Sequence, residues 1–550
     1  MGDSPWRTTQ GSMFSLLMPR PGMLRTEPLS LFPAAGISLR LAALSLGLLA
    51  FLLLGLGQPE LFDVDEGAFA EATREMLSSG DWGHTTLNGA DRFDKPMGIY
   101  WLQGLSATVL GLTEFALRLP SALATWLAAL AVGHFVMHRW GLRAGVLAAV
   151  IHVTSFGSWA MAHAATADAV LGLCLMLSAL DLWRYLETAN LPALGRLGLW
   201  MGLGLLVKGP VAFLIPVASL WLSCLSARTW QPVWRALVNR RAWLTMLAVS
   251  LPWYAYAYWR HGQTFVDGFI LKHNIDRFTA PMEGHAGSWF YFAVVAPLLW
   301  MPWSPLMLVW WGRWRDIWRD ATTQRALIWT VFVFVFFSFS ATKLPHYGIY
   351  AAPGVVVLLA ATAGRMQAWH GWLYAGTWMV WHAFLVGLPL ILMASPALVA
   401  QELSPVFMHA AQRISLLPIL AVWMVFVAFI VFWRKRLLWL GHHSGVLSLM
   451  ALIHATVLTL VVWPWWANTL QGPIKTLGLA SRDRPAAVGQ MGGNWPSFAF
   501  YRQQALLGKD EHMDVILMPE SRLTAGTHGE TLARAQGMVL FRPAKTTQQP

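Results

Sequence analysis

Apolar runs of roughly 17–24 residues recur along most of this chain, separated by short connectors rich in arginine. A helix rises about 1.5 Å per residue, so such a run matches the ~30 Å hydrocarbon core of a bilayer. Lipid offers no partners to backbone N–H and C=O groups, and a run of this length satisfies its own only as a helix. Composition agrees: 56% of the 550 residues are hydrophobic and 12% are charged, against about 25% charged in an ordinary soluble domain. The expected fold class is therefore an all-α polytopic membrane protein. A net charge of +12 does not point to nucleic acid, because the basic residues lie mainly in the connectors. That distribution sets topology and suits contact with anionic membrane lipids. Cys174 and Cys224 both sit inside apolar runs, which supports neither a disulfide framework nor a thiolate metal site.

Candidate spans start near residues 37, 117, 144, 167, 196, 210, 243, 289, 326, 347, 370, 414 and 446. The run Ile37–Leu56 is long enough to remain as a spanning helix instead of being cleaved as a signal. Met97–Leu112 is marginal at ~16 residues. If it does not cross, one set of connectors collects Arg139/Arg143, Arg184/Arg196, Arg240/Arg241, Arg313/Arg315/Arg319 and Arg434/Arg436, and the other set is poor in such clusters. We therefore read it as an interfacial helix and expect about 13 spans, with the N-terminus cytoplasmic and the C-terminus outside. Three parts follow: a cytoplasmic tail 1–36, a transmembrane domain 37–466 with an outer loop 58–116, and a small soluble α/β domain 467–550. The last carries strand-like runs at Met513–Met518 and Met538–Phe541.

On that topology the polar motifs converge on the outer side. Asp65-Glu66 opens a helical stretch with Ala68, Phe69, Ala72, Met76 and Leu77 on one face and Glu71, Arg74 and Glu75 on the others. The plain reading makes Asp65 the cap of an interfacial helix and Asp168 a cap or first-turn acid of the next span. Yet a carboxylate at the head of a span is costly without a partner, so Asp65, Glu66 and Asp168 are the catalytic candidates. Lys95, Lys208 and Lys343 each stand at a proline-marked break. Singly, each reads as a snorkelling lysine; together with Arg277 and Tyr347 they suit a phosphate in the interface. His273 with Asp94, and His346 as a third, offers ligands to a divalent metal, although the long-range spacing favours an ordinary loop histidine. Gly202-Leu203-Gly204 lies in a membrane run without a third glycine, and carries no dinucleotide signal.

Four blocks occur in one order: Asp65-Glu66 through Phe93-Asp94-Lys95-Pro96, then Arg118-Leu119-Pro120-Ser121, Leu206-Val207-Lys208-Gly209-Pro210, and Lys343-Leu344-Pro345-His346-Tyr347. The set resembles the lipid-linked-sugar glycosyltransferases, that is, the bacterial aminoarabinose transferases and the protein O-mannosyltransferases. The resemblance implies a GT-C-type integral membrane fold with a sugar donor on polyprenyl (undecaprenyl) phosphate. It implies transfer of a sugar, 4-amino-4-deoxy-L-arabinose or a hexose, to a lipid A, glycan or protein acceptor. The site would face the periplasm across the cell inner membrane. By position, Asp65 matches the family's principal acid, Asp168 its second, and Lys95, Lys208 and Lys343 its donor-phosphate contacts. Two positions depart: Asp94 stands where the family often has glutamate, and Ala68 where a basic residue is common. The rival reading is a transporter or flippase of an amphipathic anion, but its charges belong near the midplane, often in repeated halves. Here they collect at one interface.

Overall fold

The computed structural model describes residues 39–281, 287–363, 368–394, 444–484, 486–507, 513–523 and 528–544, with residue 424 between. The chain divides into two compact units, Met1–Leu44 and Ser45–Pro550; in the first, the described residues 39–44 are helical. The N-terminal tail 1–36 and the span expected near 414 lie outside the described residues.

Helices dominate. In chain order they begin α1 (Leu39–Leu53), α2 (Asp65–Ser79), α3 (Gly98–Leu110), α4 (Glu114–Trp140), α5 (Leu142–Thr154), α6 (Phe156–Ala162), α7 (Asp168–Thr188), α8 (Leu191–Val207), α9 (Val211–Ser226), α10 (Gln231–Leu237) and α11 (Arg240–His261). α4 packs on α5 and α7, and α8 lies between α7 and α11. Small residues allow the close approaches: an added Cβ at Gly198 or Gly202 would collide with the backbone of α11. Starts are marked by side-chain caps, Thr113 accepting from the Ala116 N–H at α4 and Asn239 from the Ala242 N–H at α11.

The protein is a multi-pass membrane protein, but its spans are more broken than hydropathy suggests. Among the described residues five helices are long and apolar enough to cross: α4, α7, Ala321–Phe339, Pro345–Ala363 and Gly445–Ala480. Counting α5/α6 (bent by 64°) and Tyr291–Leu299/Ser304–Gly312 (bent by 119°) as one span each gives seven. α1, α8 and α9 are shorter apolar helices. Among the described residues, length and apolarity thus account for five to seven of the 13 spans expected from hydropathy. The run through Leu191–Ser226 is cut at Lys208-Gly209-Pro210, where Gly209 takes φ +98°, a conformation glycine adopts without steric cost.

The 58–116 segment folds as α2, a short hairpin of β1 (Thr86–Leu87) and β2 (Ala90–Asp91), then α3. α3 has 13 residues, about 20 Å of helix and too short for a bilayer core. It buries Ile99, Tyr100, Gln103 and Ala107 while Leu102, Leu105 and Val109 stay exposed, a form suited to an interface. α2 is not one-faced as expected: every residue from Glu66 to Met76 is buried, including Glu71, Arg74 and Glu75. The reason is a second partner, since α3 packs on one side and the helix Pro496–Arg502 on another.

The sheet after residue 480 has strand order β3-β4-β6-β5, with β3 (Val488–Gln490) parallel to β4 (Val515–Pro519), and β5 (Gly529–Ala535) and β6 (Met538–Pro543) antiparallel. β4 and β6 fall on the two apolar runs read from sequence. β3 has only three residues and β5 is largely polar, so neither carries a strand signal. Ile474, Leu477, Val488, Phe498, Leu517 and Leu540 form the core beneath the sheet. The boundary drawn at 466/467 falls inside the continuous helix Gly445–Ala480: composition changes there while the backbone runs on.

Candidate active site

Asp168 begins α7, and Ala167, not Asp168, holds the cap position. The carboxylate is buried, and its Oδ1 accepts from Lys208 Nζ (2.5 Å) and Tyr350 Oη (2.5 Å), with His346 Nε2 at 3.5 Å. Lys208 reaches it because α8 stops there and the chain reverses through Gly209. Its ammonium also lies 5.4 Å from the Tyr347 ring and 5.6 Å from the Tyr350 ring, close enough for cation–π attraction. Two other segments, the break at Lys208 and the 3₁₀ turn Pro345–Ala351, therefore meet on one carboxylate.

A second group forms around Asp94. Its Oδ1 accepts from Lys95 Nζ (2.6 Å) and lies 3.0 Å from His273 Nδ1 and 4.0 Å from Arg277 Nη1; Oδ2 accepts from Arg92 Nη2 (3.0 Å). Burial works to raise the Asp94 carboxyl, yet Lys95, His273 and Arg92 hold it well below the usual carboxylate range. Burial lowers Lys95, and Asp94 offsets this only in part because Lys208 and Arg277 repel the ammonium. Lys95 thus senses the Asp168 group as well as its own, and the two clusters form one electrostatic unit. Two cations already occupy Asp94, so the residues do not fit the divalent metal expected of Asp94 and His273: an ion there would have to displace the Lys95 ammonium.

Asp65 is exposed at the first position of α2, with Val64 at the cap position and no side-chain capping bond. The capping role allowed by the sequence is therefore not what the residue does. It lies within electrostatic reach of Arg92 and His346, at the edge of the cation group. Glu66, one residue on, is placed quite differently. It is 3% exposed, with Oε1 accepting from Arg118 Nε (2.7 Å) and the Ala165 N–H (2.8 Å), and Oε2 from Arg118 Nη2 (2.9 Å) and the Phe62 N–H (2.8 Å). Both oxygens are committed to the fold. Lys343 is buried with Nζ donating to the Ser340 carbonyl (2.6 Å), while its neighbour Thr342 is tied to the Arg277 segment by its N–H to the Arg277 carbonyl. Tyr347 is buried and packs on Phe337 at 4.7 Å.

Sequence reasoning missed Tyr350 and the structural role of Asp63, which it counted with the outer-side acids. Tyr350 sits three residues beyond Tyr347 on the 3₁₀ segment Pro345–Ala351, and that spacing, which aligns side chains in a 3₁₀ helix, was the available signal. Asp63 accepts from the Ser497 N–H (2.8 Å) and the Ser497 hydroxyl (2.5 Å), and burial pushes its carboxyl up to about 8. It is a strut to the C-terminal region, not a member of the cation group. Tyr501 adds a second strut, accepting from the Leu61 N–H (2.9 Å) and donating to Glu114 (3.1 Å).

Comparison with known proteins places this geometry. Residues 94–259 match the family model described as dolichyl-phosphate-mannose-protein mannosyltransferase. The chain is 29% identical over 322 residues to the undecaprenyl phosphate-α-4-amino-4-deoxy-L-arabinose arabinosyl transferase of Edwardsiella ictaluri, covering 56% of this chain and 57% of that one. To the second such transferase of Pseudomonas fluorescens it is 31% identical over 332 residues, 58% of this chain and 56% of that one. The chain thus spans somewhat more than half the length of the curated relatives it matches. The crystal structure of ArnT from Cupriavidus metallidurans bound to undecaprenyl phosphate superposes with a TM-score of 0.74 at 20% identity, covering 93% of this chain and 99% of that one. The superposition defines the fold class, a mostly helical integral membrane protein. Within that class its backbone is ArnT-like.

Proposed function

We propose that this protein moves a sugar from a polyprenyl phosphate, undecaprenyl phosphate by analogy with its relatives, to an acceptor on the periplasmic side of the inner membrane. The observation that carries the reading is the gathering of cations in the joined clusters. Arg92, Lys95 and Lys208 meet at the half-buried Asp94 and the buried Asp168, with Arg277 4.0 Å from Asp94. A lipid phosphate emerging from between helices finds several charge-assisted partners there.

In this reading the donor phosphate displaces Lys95 and Arg277 partly from Asp94 and lies against them and Lys208. As the acceptor oxygen attacks the anomeric carbon, the sugar–phosphate C–O bond breaks and its electron pair leaves with the phosphate. The cations are fixed where that charge develops. Asp168 and Tyr350 hold Lys208 in place, while Asp65, being exposed, accepts the proton of a hydroxyl acceptor. With a lipid A phosphate as acceptor no base is required, and Asp65 orients the sugar, an amine-bearing one above all. A lipid A phosphate, a glycan hydroxyl and a protein hydroxyl would all meet the same groups. Asp65→Asn in the purified full chain should abolish acceptor-dependent release of polyprenyl phosphate while the melting temperature holds. A stable and fully active variant would overturn the assignment.

A further inference from the structure

The β1–β2 hairpin carries a group of side chains that the transfer chemistry does not use. His84 lies just before β1, Asp91 ends β2, and His261 ends α11. Each offers one ligand atom, and these atoms all lie within 4.8 Å of one another. His84 Nε2 is 3.0 Å from Asp91 Oδ1, and the His84 and His261 rings are 4.3 Å apart. His261 Nε2 is buried and without a hydrogen-bond partner among the described residues. We propose that His84, Asp91 and His261 bind a divalent transition-metal ion of the Zn²⁺ type that staples the hairpin to the end of α11.

The chemistry suits the ligands. Two imidazoles and a carboxylate are borderline donors that favour Zn²⁺ over Mg²⁺ or Ca²⁺. Around a tetrahedral ion with bonds of about 2.0–2.1 Å, ligand atoms stand roughly 3.3 Å apart, so no pair here has to close by more than about 1.5 Å. A simple His–Asp hydrogen bond explains the hairpin pair but leaves His261 Nε2 orphaned. The nearby cation Arg260 is already engaged by Asp81 (2.6 Å), and does not compete for Asp91. Asp91 is exposed, giving the ion a path in and leaving a fourth position for water.

The staple would act on the donor corner. The Phe93 ring touches both imidazoles, at 5.3 Å from His84 and 5.1 Å from His261, and Asp94-Lys95 follow directly. His84, Phe93, Lys95 and His261 line one small pocket. Metal binding here does not depend on the chain being a transferase; its effect on Lys95 does, resting on the proposed function.

The test uses the purified full chain with a tag free of histidine, stripped of metal, and probed with Zn²⁺ by equilibrium dialysis and with Co²⁺ by its visible ligand-field spectrum. One ion per chain is expected, with a rise in melting temperature. His84→Ala and His261→Ala should each weaken binding by more than about 100-fold, beyond the loss typical of a second-shell change. Asp91→Asn, at an exposed position, is the variant to use if a histidine change impairs folding, and it should also abolish the Zn²⁺-induced rise. His273→Ala should leave binding unchanged. Absence of stoichiometric binding, retention of binding in all three variants, or loss confined to His273→Ala would each overturn the site. A wild-type ion whose removal leaves donor KM untouched would overturn the link to Lys95 while keeping the ion.

Discussion

Glu66 and Asp168 are both buried carboxylates near the start of a helix, both bonded to a cation, yet their surroundings divide the molecule in two. The Glu66 region is closed: one carboxylate faces one guanidinium in a bidentate pair, and two backbone N–H groups take the remaining lone pairs. Arg118 spends its other N–H groups on the carbonyls of Leu56, Pro59 and Glu60. The region of Asp168 and Asp94 is shared instead, several cations crowding two carboxylates with an exposed acid at the rim. Crowded charge therefore does not by itself mark chemistry. A closed, fully bonded pair holds a fold together; cations gathered beside an exposed acid suit a ligand.

The comparison can be broken most forcefully at Glu66. Glu66→Gln should cost about 3–5 kcal/mol, because it leaves Arg118 as a buried charge without its counter-ion. Denaturant midpoints in detergent would read it as lost folded protein. If the variant is stable but inactive, Glu66 belongs with the chemistry after all. Lys95→Ala should do the reverse. Asp94 keeps Arg92, so stability changes little, but a charge-assisted phosphate contact of about 1.5–3 kcal/mol is lost, which is roughly ten- to a hundredfold in donor use. A loss shared by substrate and transition state raises KM, whereas one felt as the phosphate leaves lowers kcat. Tyr350→Phe should be milder, on the order of tenfold or less in kcat, since Lys208 still holds Asp168. A change larger than that of Lys95→Ala would move the centre of the site toward Asp168.

The smallest effect is on the dependence of stability on pH. Asp63 has a carboxyl raised by burial from its ordinary value to about 8, so between about 4 and 8 the folded protein holds a proton that the unfolded chain has lost. Stability from this group is complete below pH 4 and declines as pH rises toward 8. The melting temperature should drift downward over that window, and Asp63→Asn, which can still bond Ser497, should flatten the drift. An unchanged slope would mean that Asp63 is ionised in the fold.

What the sequence made legible follows distance along the chain. Local patterns located the Lys208 break, the short helix α3 and the two apolar strands, because periodicity and proline act over a few residues. The order of motif blocks groups Lys95 with Lys208, and the outer-side topology adds Asp168 to them. Periodicity assigned α2 one buried face, and missed that Pro496–Arg502 covers another. No local signal pairs Glu66 with Arg118 across 52 residues, or Asp63 with Ser497 across 434. A carboxylate that looks poised for chemistry can be claimed by a partner from the far end of the chain.

That last contact has a consequence in time. Leu61 and Asp63 are held by Tyr501 and Ser497, 440 and 434 residues later. At ribosomal rates of about 5–20 residues per second, the loop bearing Asp65 emerges roughly 20–90 s before the residues that clamp it. Through that interval the helices can enter the membrane and pack, but the loop bearing Asp65 lacks its anchors. On the proposed function, a chain ending before residue 497 should insert as a membrane protein yet remain inert.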